Sequence, residues 1–508
     1  MMKTLGIIFS LLVSLASEAQ NKMGYTWIVG NNASYGKFDG TSNAPATGSL
    51  YTIAAPNYPY IFAGGHSNIC DSATGKILFL CNGMRVFDTL GNIIENGDSL
   101  VPSKIYKHNS FHFSGYTQSS LIIPKGSNGL YYVFTPTVSD SMYTNVWMVP
   151  NTQIAPFDLL LYHVVDMTAN GGAGKVIEKN KVLLSHTELH KTMMQACRHS
   201  NGVDWWLLKQ GRYGSNEIIR FLVTKDSISG PYIQQFNEPA YGTYDYPGQF
   251  SFSNDGTKFA AIQGAANKLF LANFDRCTGE LYNSQVFKLP IDSTTYPPLD
   301  NQGSLDSVCA GICFSPNDNF LYITKWWNIY QFEVGESDSN LAWYRVRHGP
   351  DTSFNAFEYY GSMRIGPNYK IYIGKYAGGF KQFSVIDNPN NKGVACNFCR
   401  KCFRVDNALG GLNSPPNMPD YTLGPSNKTC WPLATNQLSI QHDALEVYPN
   451  PSSSVFYIKN KQGKKKELFT MLGDLLFTTT KDEIDVSRYT KGVYYLRCEH
   501  AVRKVLVE

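Results

Sequence analysis

A short hairpin pattern recurs along most of this 508-residue chain. Each copy has an apolar strand, a polar turn rich in Gly, Asn and Asp, and a second apolar strand. Successive turns lie roughly 50 to 75 residues apart, which is typical of the blades of a propeller. The turns of the six copies lie near Gly75, Asn128-Gly129, Asn201-Gly202, Asp255-Gly256, Asp318-Asn319 and Asn368.

Hairpins of this kind are marginally stable alone, because one face stays in contact with water. Radial repetition buries both faces against neighbouring hairpins. The pattern therefore predicts an all-β chain in which residues 20–423 form a β-propeller. We expect seven blades, with six as the alternative count. The seventh would combine "TWIVG" at residues 26–30 with strands after Gly410, and would close the ring. A pair of β-sandwiches is the competing architecture.

The first 19 residues have the pattern of an export signal. Lys3 precedes an apolar stretch at residues 5–15, and the small residues Ser17 and Ala19 precede Gln20. This stretch is too short to span a bilayer, and no later stretch reaches about 18 apolar residues. The sequence predicts a signal peptide at residues 1–19 and no transmembrane segment. The alternative is a buried N-terminal helix.

Composition excludes some classes of protein. A chain with 43% hydrophobic and 17% charged residues is globular rather than disordered. A net charge of +4 is small for this length and gives no case for nucleic-acid binding.

All 11 cysteines follow the signal-like segment. Export to an oxidising compartment favours disulfides over zinc, although "CNFCRKC" together with a later cysteine could hold the metal. Cys309 and Cys313 lie too far apart along one strand to bridge each other. Cys498 is expected to be unpaired. The disulfide candidates are Cys70 with Cys81, facing each other across one hairpin, and Cys396, Cys399, Cys402 and Cys430.

No catalytic signature is present, and the sequence predicts no cofactor and no metal site. A topological argument does predict a binding face. If the Gly and Asn turns lie at one end of the ring, the loops that lead into each blade lie at the other end. Such loops build sites on rigid scaffolds. The candidate ligand-binding residues there are His66, His108, His112, Glu188, His190, Tyr244, Asp245 and Tyr246.

Two functions are compatible with these residues. The first is a non-catalytic module that binds a glycan or a protein. The second is a hydrolase or lyase acting on polysaccharides. The first is preferred, because no spaced pair of acids and no triad can be named.

Several ordered segments resemble a known group of proteins. "GKILFLCNGMRVFDTLGNIIENGDSL", "FSNDGTKFAA", "CFSPNDNFLYIT" and "GLNSPPNMPDYTLGP" are similar to segments of exported propeller proteins, with WD40-like repeats, from bacteria with type IX secretion. Asn413 departs from the pattern, which usually has proline after "GL". The resemblance implies a propeller and export, and does not imply a reaction.

The last 64 residues follow a polar linker at residues 424–444. Residues 445–508 form short strands and turns that resemble the type A sorting domain of type IX secretion, an Ig-like β-sandwich. This resemblance implies an address tag that the secretion machinery reads and that is removed at the cell surface, so the protein would be surface-bound or extracellular. The alternative is an ordinary Ig-like adhesive module without a sorting role. The matching residues are Tyr448, Pro449, Asn450, Pro451, Gly473, Gly492, Val493, Tyr494 and Lys504.

Overall fold

The computed structural model forms two compact units, Met1–Thr429 and Cys430–Glu508. No helix within its described ranges is long and apolar enough to cross a membrane. The described residues are 21–31, 34–38, 46–49, 61–62, 64–108, 116–150, 155–212, 215–236, 247–264, 267–290, 309–325, 327–336, 338, 341–347, 359–377, 382–404, 414–427, 430, 446–459, 462–470, 475–498 and 501–508.

The first unit contains six antiparallel sheets among the described residues, and the third of them in chain order has seven strands. The seven-stranded sheet divides into two blades that share one strand, so the unit has seven blades. In every blade except the first, successive strands pair with each other. The all-β propeller prediction is confirmed. The strands of the first three blades are β1 Thr26–Asn31, β2 Ser34–Lys37, β3 Ala46–Ser49 and β4 Ile61–Phe62; β5 Ser67–Cys70, β6 Ile77–Cys81 and β7 Val86–Phe87; β8 Leu121–Pro124, β9 Leu130–Thr137, β10 Phe157–Asp166 and the first part of β11 Lys175–Arg198.

The remaining four blades follow the same meander. Short helices lie between blades two and three and within the connections of blades three and seven: α1 Ser103–His108, α2 Asp140–Met142, a π-helical turn Tyr143–Trp147, and 3-10 turns Ala169–Gly172 and Gly393–Cys396. The strands are the last part of β11 with β12 Trp205–Gly211, β13 Glu217–Val223 and β14 Ile228–Gln235; β15 Gly248–Phe252, β16 Lys258–Gln263, β17 Lys268–Phe274 and β18 Leu281–Lys288; β19 Cys309–Phe314, β20 Phe320–Lys325, β21 Asn328–Glu333 and β22 Trp343–Arg347; β23 Tyr359–Ile365, β24 Ile371–Ala377, β25 Gln382–Ile386 and β26 Phe398–Arg404.

One strand belongs to two blades. Residues up to Leu189 in β11 pair with β10 as the outer strand of the third blade, and residues from Leu189 to Arg198 pair with β12 as the inner strand of the fourth blade. The segment "SHTELHK", residues 185–191, contains the candidate residues Glu188 and His190. It therefore lies in a strand, and its interpretation as a loop was wrong. A local pattern cannot show this, because each half of the strand takes its partner from a different part of the chain.

Strands of neighbouring blades contact one another around the axis: β1 with β5, β5 with β8, β11 with β15, β15 with β19, and β19 with β23. Gln249 of β15 shows how they are tied together: its side chain donates to the Met363 carbonyl at 2.7 Å and accepts from the Ile312 amide at 3.1 Å. One glutamine thus joins three blades, and its buried polar atoms are satisfied. The six predicted hairpin turns lie together at one end of the ring, called here the turn face. The opposite end is called the loop face.

Ring closure differs from the prediction. β1 pairs with β2 and β4 of its own blade and not with late strands. The first blade instead packs against the seventh through aromatic rings: Trp27 and Phe38 lie 5.4 and 5.5 Å from Tyr372, centroid to centroid. Closure here is apolar packing, which needs no shared hydrogen-bond ladder.

Residues 414–426, called here the axial segment, run through the ring instead of forming strands. The Ser414 hydroxyl accepts from the Gly64 amide at 2.8 Å on the loop face, and the Ser426 amide donates to the Ser200 carbonyl at 3.0 Å in a turn-face hairpin. The segment contains four prolines, which cannot donate to a ladder. This explains why the described residues of the axial segment add no strand to the ring.

Side chains of the ring bind the axial segment mainly through its backbone carbonyls. Arg364 donates to the carbonyls of Met418 and Pro419, the latter at 3.2 Å. Arg198 donates to the Tyr421 carbonyl at 3.2 Å, and Arg276 donates to the Gly424 carbonyl. The contacts of these guanidinium groups follow the path of the segment along the axis.

Asn417 supplies the main side-chain contact of the axial segment. Its buried amide donates to the Ser120 and Met194 carbonyls at 2.9 and 3.2 Å and accepts from Gln195 at 3.1 Å. The axial segment thereby connects the inner strands of the third and fourth blades.

The cysteine predictions are partly wrong. Cys399 and Cys402 form a disulfide, and Cys430 is disulfide-bonded, as is Cys277, which was not predicted. In β26 a left-handed residue, Lys401 (φ 58°), breaks the regular strand, so the bridged Cα atoms are only 5.7 Å apart. The free thiols are Cys70, Cys81, Cys197, Cys309, Cys313, Cys396 and Cys498.

Cys70 and Cys81 do not face each other. Cys70 is opposite Ile77, and Cys81 is opposite Ser67, so the two thiols lie at different ends of the hairpin. A register shift between Ile69 and Cys70 adds to the offset. Cys498 is free, as predicted.

The second unit is a sandwich of two sheets around one apolar core. The first sheet has the order β27-β28-β31 and the second has the order β30-β29-β32-β33. The strands are β27 Val447–Tyr448, β28 Val455–Ile458, β29 Lys466–Thr470, β30 Leu475–Thr479, β31 Glu483–Asp485, β32 Gly492–Cys498 and β33 Ala501–Val507.

We expect the axial segment to be part of the body's fold and residues 445–508 to be dispensable for it. The body of a chain ending at residue 444 should have the same melting temperature as the body of the intact chain. A chain ending at residue 412 should have a much lower melting temperature. Asn417→Ala alone should cost on the order of 2 kcal/mol, because two buried carbonyls lose their donor. Thermal unfolding measures this. Equal melting of the two truncations would contradict the structural role of the axial segment.

Thiol counting tests the cysteine assignment. Denatured, unreduced protein should react at the seven free cysteines with an alkylating reagent, and after reduction at all 11. Mass spectrometry gives the count. In a Cys399→Ser control, Cys402 should become reactive without reductant. Alkylation of Cys399 in unreduced wild-type protein, or release of stoichiometric zinc, would show that the disulfide is wrong.

Candidate functional site

Two of the candidate histidines are buried and do not face a ligand. His66 is 1% exposed, its Nε2 donates to the Ile28 carbonyl at 2.6 Å, and its ring meets Phe62 edge-on. Burial lowers the pKa of His66 to about 4, so the ring is neutral in the folded protein. This arrangement is that of a core histidine.

His190 is also fully buried, in the shared strand β11. Its Nδ1 accepts from the Thr192 amide at 3.2 Å, and its carbonyl accepts from the Lys209 ammonium. Burial first, and then the charges of Lys209 and Lys191, hold the pKa of His190 well below its usual value. This histidine therefore supports the junction between the third and fourth blades.

The other candidates are scattered. Glu188 is exposed on β11. His112, Tyr244, Asp245 and Tyr246 lie outside the described residues. The four described candidates are thus not gathered into one site, and the one among them that lines a described cavity is His108.

A cavity of about 300 Å³ opens on the loop face between the second and third blades. Three kinds of connection build it: the β6–β7 loop, the segment around α1 that leads into β8, and the β9–β10 excursion with its π-helical turn. Most of its lining residues are apolar or aromatic, and polar atoms also reach its surface. The residues that line it are Gly83, Met84, Val101, Ile105, His108, Tyr116, Pro136, Thr137, Trp147 and Phe157.

The aromatic rings of this loop-face cavity are engaged by the protein itself. Trp147 stacks on Phe157 with centroids 5.8 Å apart, and its Nε1 donates to the Pro156 carbonyl at 2.9 Å. The buried Lys191 ammonium lies over Trp147 and Tyr116, at 4.5 and 5.1 Å from the ring centroids. The ammonium already occupies the cation-binding position above these rings. The cavity is therefore suited to an apolar group rather than to a cation.

A second cavity, of about 180 Å³, lies at the axis and toward the turn face. The axial segment forms one wall, and the inner strands of the fourth to seventh blades form the others. Arg364 and the free thiols Cys197 and Cys313 are among its lining residues. Burial raises the pKa of both thiols to about 12, so they are unreactive at neutral pH.

Carboxylates are nearly absent from both cavities. Among the described residues that line them, Asp420 is the one acidic side chain. Glycoside hydrolases use two carboxyl groups about 5 to 10 Å apart. The described cavities therefore offer binding surfaces rather than an acid pair.

The sorting-type residues of the second unit have mixed roles. Asn450 joins the start of this unit to its last strand: its side chain donates to the Lys504 carbonyl at 2.9 Å and accepts from the Leu506 amide at 2.8 Å. Tyr494 is in the core, and its hydroxyl donates to the Thr490 carbonyl at 2.7 Å. Tyr448 and Lys504 are exposed. Gly473 lies outside the described residues.

Sequence reasoning missed Met84, Tyr116, Trp147 and Lys191. The strongest available signal was "YTNVWMVP", an apolar run inside a connection where polar residues are usual. Its partners come from three separate connections, so their convergence could not be deduced from spacing.

The buried histidines predict acid sensitivity. Below about pH 6.5 the unfolded chain binds a proton at His66 that the folded chain binds only near pH 4. Stability should therefore be complete above pH 6.5 and fall by about 3 kcal/mol from this group as the pH drops to 4. Burial lowers the pKa of His163 to about 3, and this residue adds a similar loss.

Denaturant unfolding at several pH values measures this effect. His66→Gln should flatten the pH dependence, whereas Phe62→Leu, which disturbs the same packing without titrating, should lower stability and keep the slope. An unchanged slope in His66→Gln would contradict the assignment.

Comparison with solved structures finds remote likenesses. A hydrazine synthase from Kuenenia stuttgartiensis is 11% identical with a TM-score of 0.38, and the match covers 74% of this chain and 94% of that chain. A periplasmic gluconolactonase from Pseudomonas aeruginosa is 11% identical with a TM-score of 0.34, covering 84% and 94%. The Dos1 propeller is 9% identical with a TM-score of 0.39, covering 78% and 91%. No curated protein matches the chain.

One family model matches the chain. Residues 446–507, almost the whole second unit, match the secretion system C-terminal sorting domain. This confirms the predicted resemblance of the tail and, with it, the predicted localisation. The second unit is therefore a C-terminal sorting domain, and the chain is a propeller protein that type IX secretion exports to the cell surface or the extracellular space.

Proposed function

We propose that the body is a non-catalytic binding module, delivered by type IX secretion, that captures a protein partner through the loop-face cavity. The observation that carries this proposal is the cavity of about 300 Å³, lined by apolar and aromatic groups with His108 among them. This volume is at the lower end of the range for small-ligand pockets. It fits one apolar or aromatic side chain, which is the usual anchor of a protein interface.

The same geometry favours a protein over a glycan. The Trp147 ring is held between Phe157 and the Lys191 ammonium, so it does not present an open face for a sugar ring. The lack of a carboxyl pair in the described cavities also supports binding over the hydrolase or lyase alternative.

Processing completes the proposal. The signal-like segment would be removed before Gln20, and the sorting domain would be removed within the linker at residues 424–444 or shortly after it. The hydrogen bond from Ser426 to Ser200 supports a cut beyond residue 426, because residues up to that point are held in the ring. The mature protein would then be the propeller with its axial segment in place.

Peptide and glycan arrays probed with the mature body test the binding mode. Peptides with one large apolar or aromatic residue should be enriched. His108→Ala, which changes an exposed wall of the cavity, should weaken that binding by about tenfold or more. Tyr369→Ala is the matched control, because Tyr369 is 64% exposed and lines the cavity near the turn face.

Two outcomes would contradict the proposal. Binding that is lost in Tyr369→Ala and kept in His108→Ala would move the site to the turn face. Binding confined to glycans, or release of new reducing ends from a polysaccharide, would favour the alternative functions.

A further inference from the structure

The four-stranded sheet of the sorting domain has an apolar face that is not part of the core. Leu468 and Leu496 point into the core, so their neighbours in the alternating strands point outward. The register aligns Leu475 with Phe469, and Phe469 with Tyr495, which is opposite Lys504. We call this surface the outer face. It consists of Glu467, Phe469, Leu475, Val493, Tyr495, Arg497, Lys504 and Leu506.

The outer face exposes large apolar side chains. Leu475 is 53% exposed, and Tyr495 and Leu506 are each 37% exposed. Arg497 lies over the Phe469 ring at 4.8 Å from its centroid. A contiguous exposed apolar surface with a polar rim marks an interaction site in a soluble protein.

The charge of the outer face is positive. Its one carboxylate among the described side chains is Glu467, which is paired with Arg497 at 2.6 Å and Lys465 at 2.7 Å. Lys504 stands exposed at the edge. Residues 446–507 contain 11 Lys and Arg against 7 Asp and Glu, so this stretch carries a net charge of +4, equal to that of the entire chain.

We propose that the outer face docks a component of the type IX secretion machinery whose contact surface is apolar and bordered by carboxylates. The partner class follows from the sorting-domain match at residues 446–507. The charge favours a carboxylate border through electrostatic complementarity. It disfavours a second copy of the same face, since Arg497 and Lys504 would meet like charges.

The other sheet supplies a matched control surface. Tyr448 and Tyr457 are 53% and 42% exposed, with ring centroids 6.0 Å apart. Tyr457 is opposite the acidic Glu483 rather than a base. The two surfaces thus expose similar apolar side chains and differ in the charge that surrounds them.

The test uses the full-length chain in a host that has type IX secretion. Three variants are compared with the wild type. The first combines Leu475→Ser and Tyr495→Ser, the second carries Lys504→Glu alone, and the third, Tyr457→Ser, is the control. The measurements are the amounts of protein in the periplasm and outside the cell, and protease resistance of the sorting domain in purified protein. The double variant and Lys504→Glu should each raise the periplasmic uncleaved fraction at least fivefold, and the control should match the wild type.

Normal export of both outer-face variants would overturn the proposal, as would equal loss in the Tyr457→Ser control. If the double variant proves protease-sensitive, the exposed Lys504→Glu substitution decides. Wild-type dimers that the variants abolish would assign the face to a second copy. Binding to phosphatidylglycerol vesicles that is lost in Lys504→Glu would assign it to a membrane surface. Peptide binding by the body is a separate readout and does not depend on this face.

Discussion

The propeller depends on hydrogen bonds that its arginine side chains donate to the backbone of the axial segment. Arg198, Arg276 and Arg364 bind carbonyl oxygens along its path. A proline-rich strand cannot donate regularly, so it offers carbonyls, and guanidinium groups with several donors are the best match for them. Burial lowers the pKa of Arg198 and Arg364, yet the groups stay charged because their pKa values begin so high. The carbonyl dipoles take the place of carboxylate partners.

Filling the axis decides where ligands can bind. Asn417 and Tyr421 occupy space that an open ring would leave to solvent, and both are buried. The proposed site therefore lies at the side of the ring, where loops of two blades leave a gap. The axial segment also runs out at the turn face, by Ser200, so the linker begins on the side opposite the loop-face cavity. Removal of the sorting domain therefore leaves the proposed binding site untouched.

The sequence predicted what is local and missed what is shared between distant segments. The six hairpin turns and the sorting domain are set by nearby residues, and each was located correctly. The dual role of β11 depends on pairing with strands of two blades, and the offset of Cys70 from Cys81 includes a register shift. His66 and His190 were chosen because histidines in loops often bind ligands, but the chain beside them is strand or tightly packed loop. Polarity in a sequence does not reveal burial.

The propeller body and the sorting domain are both all-β, but they differ clearly in net charge. Residues 20–445 contain 32 Lys and Arg and 31 Asp and Glu, so this part of the chain, without the basic sorting domain, is close to neutral. A nearly neutral body has little long-range field with which to steer a charged ligand. Recognition at the proposed site would then rest on shape and short-range contact, which agrees with a cavity lined by Met84, Ile105 and aromatic rings. The sorting domain, by contrast, has both charge and an exposed apolar face. The body therefore suits binding through shape, and the sorting domain suits binding to a partner of opposite charge with an apolar surface.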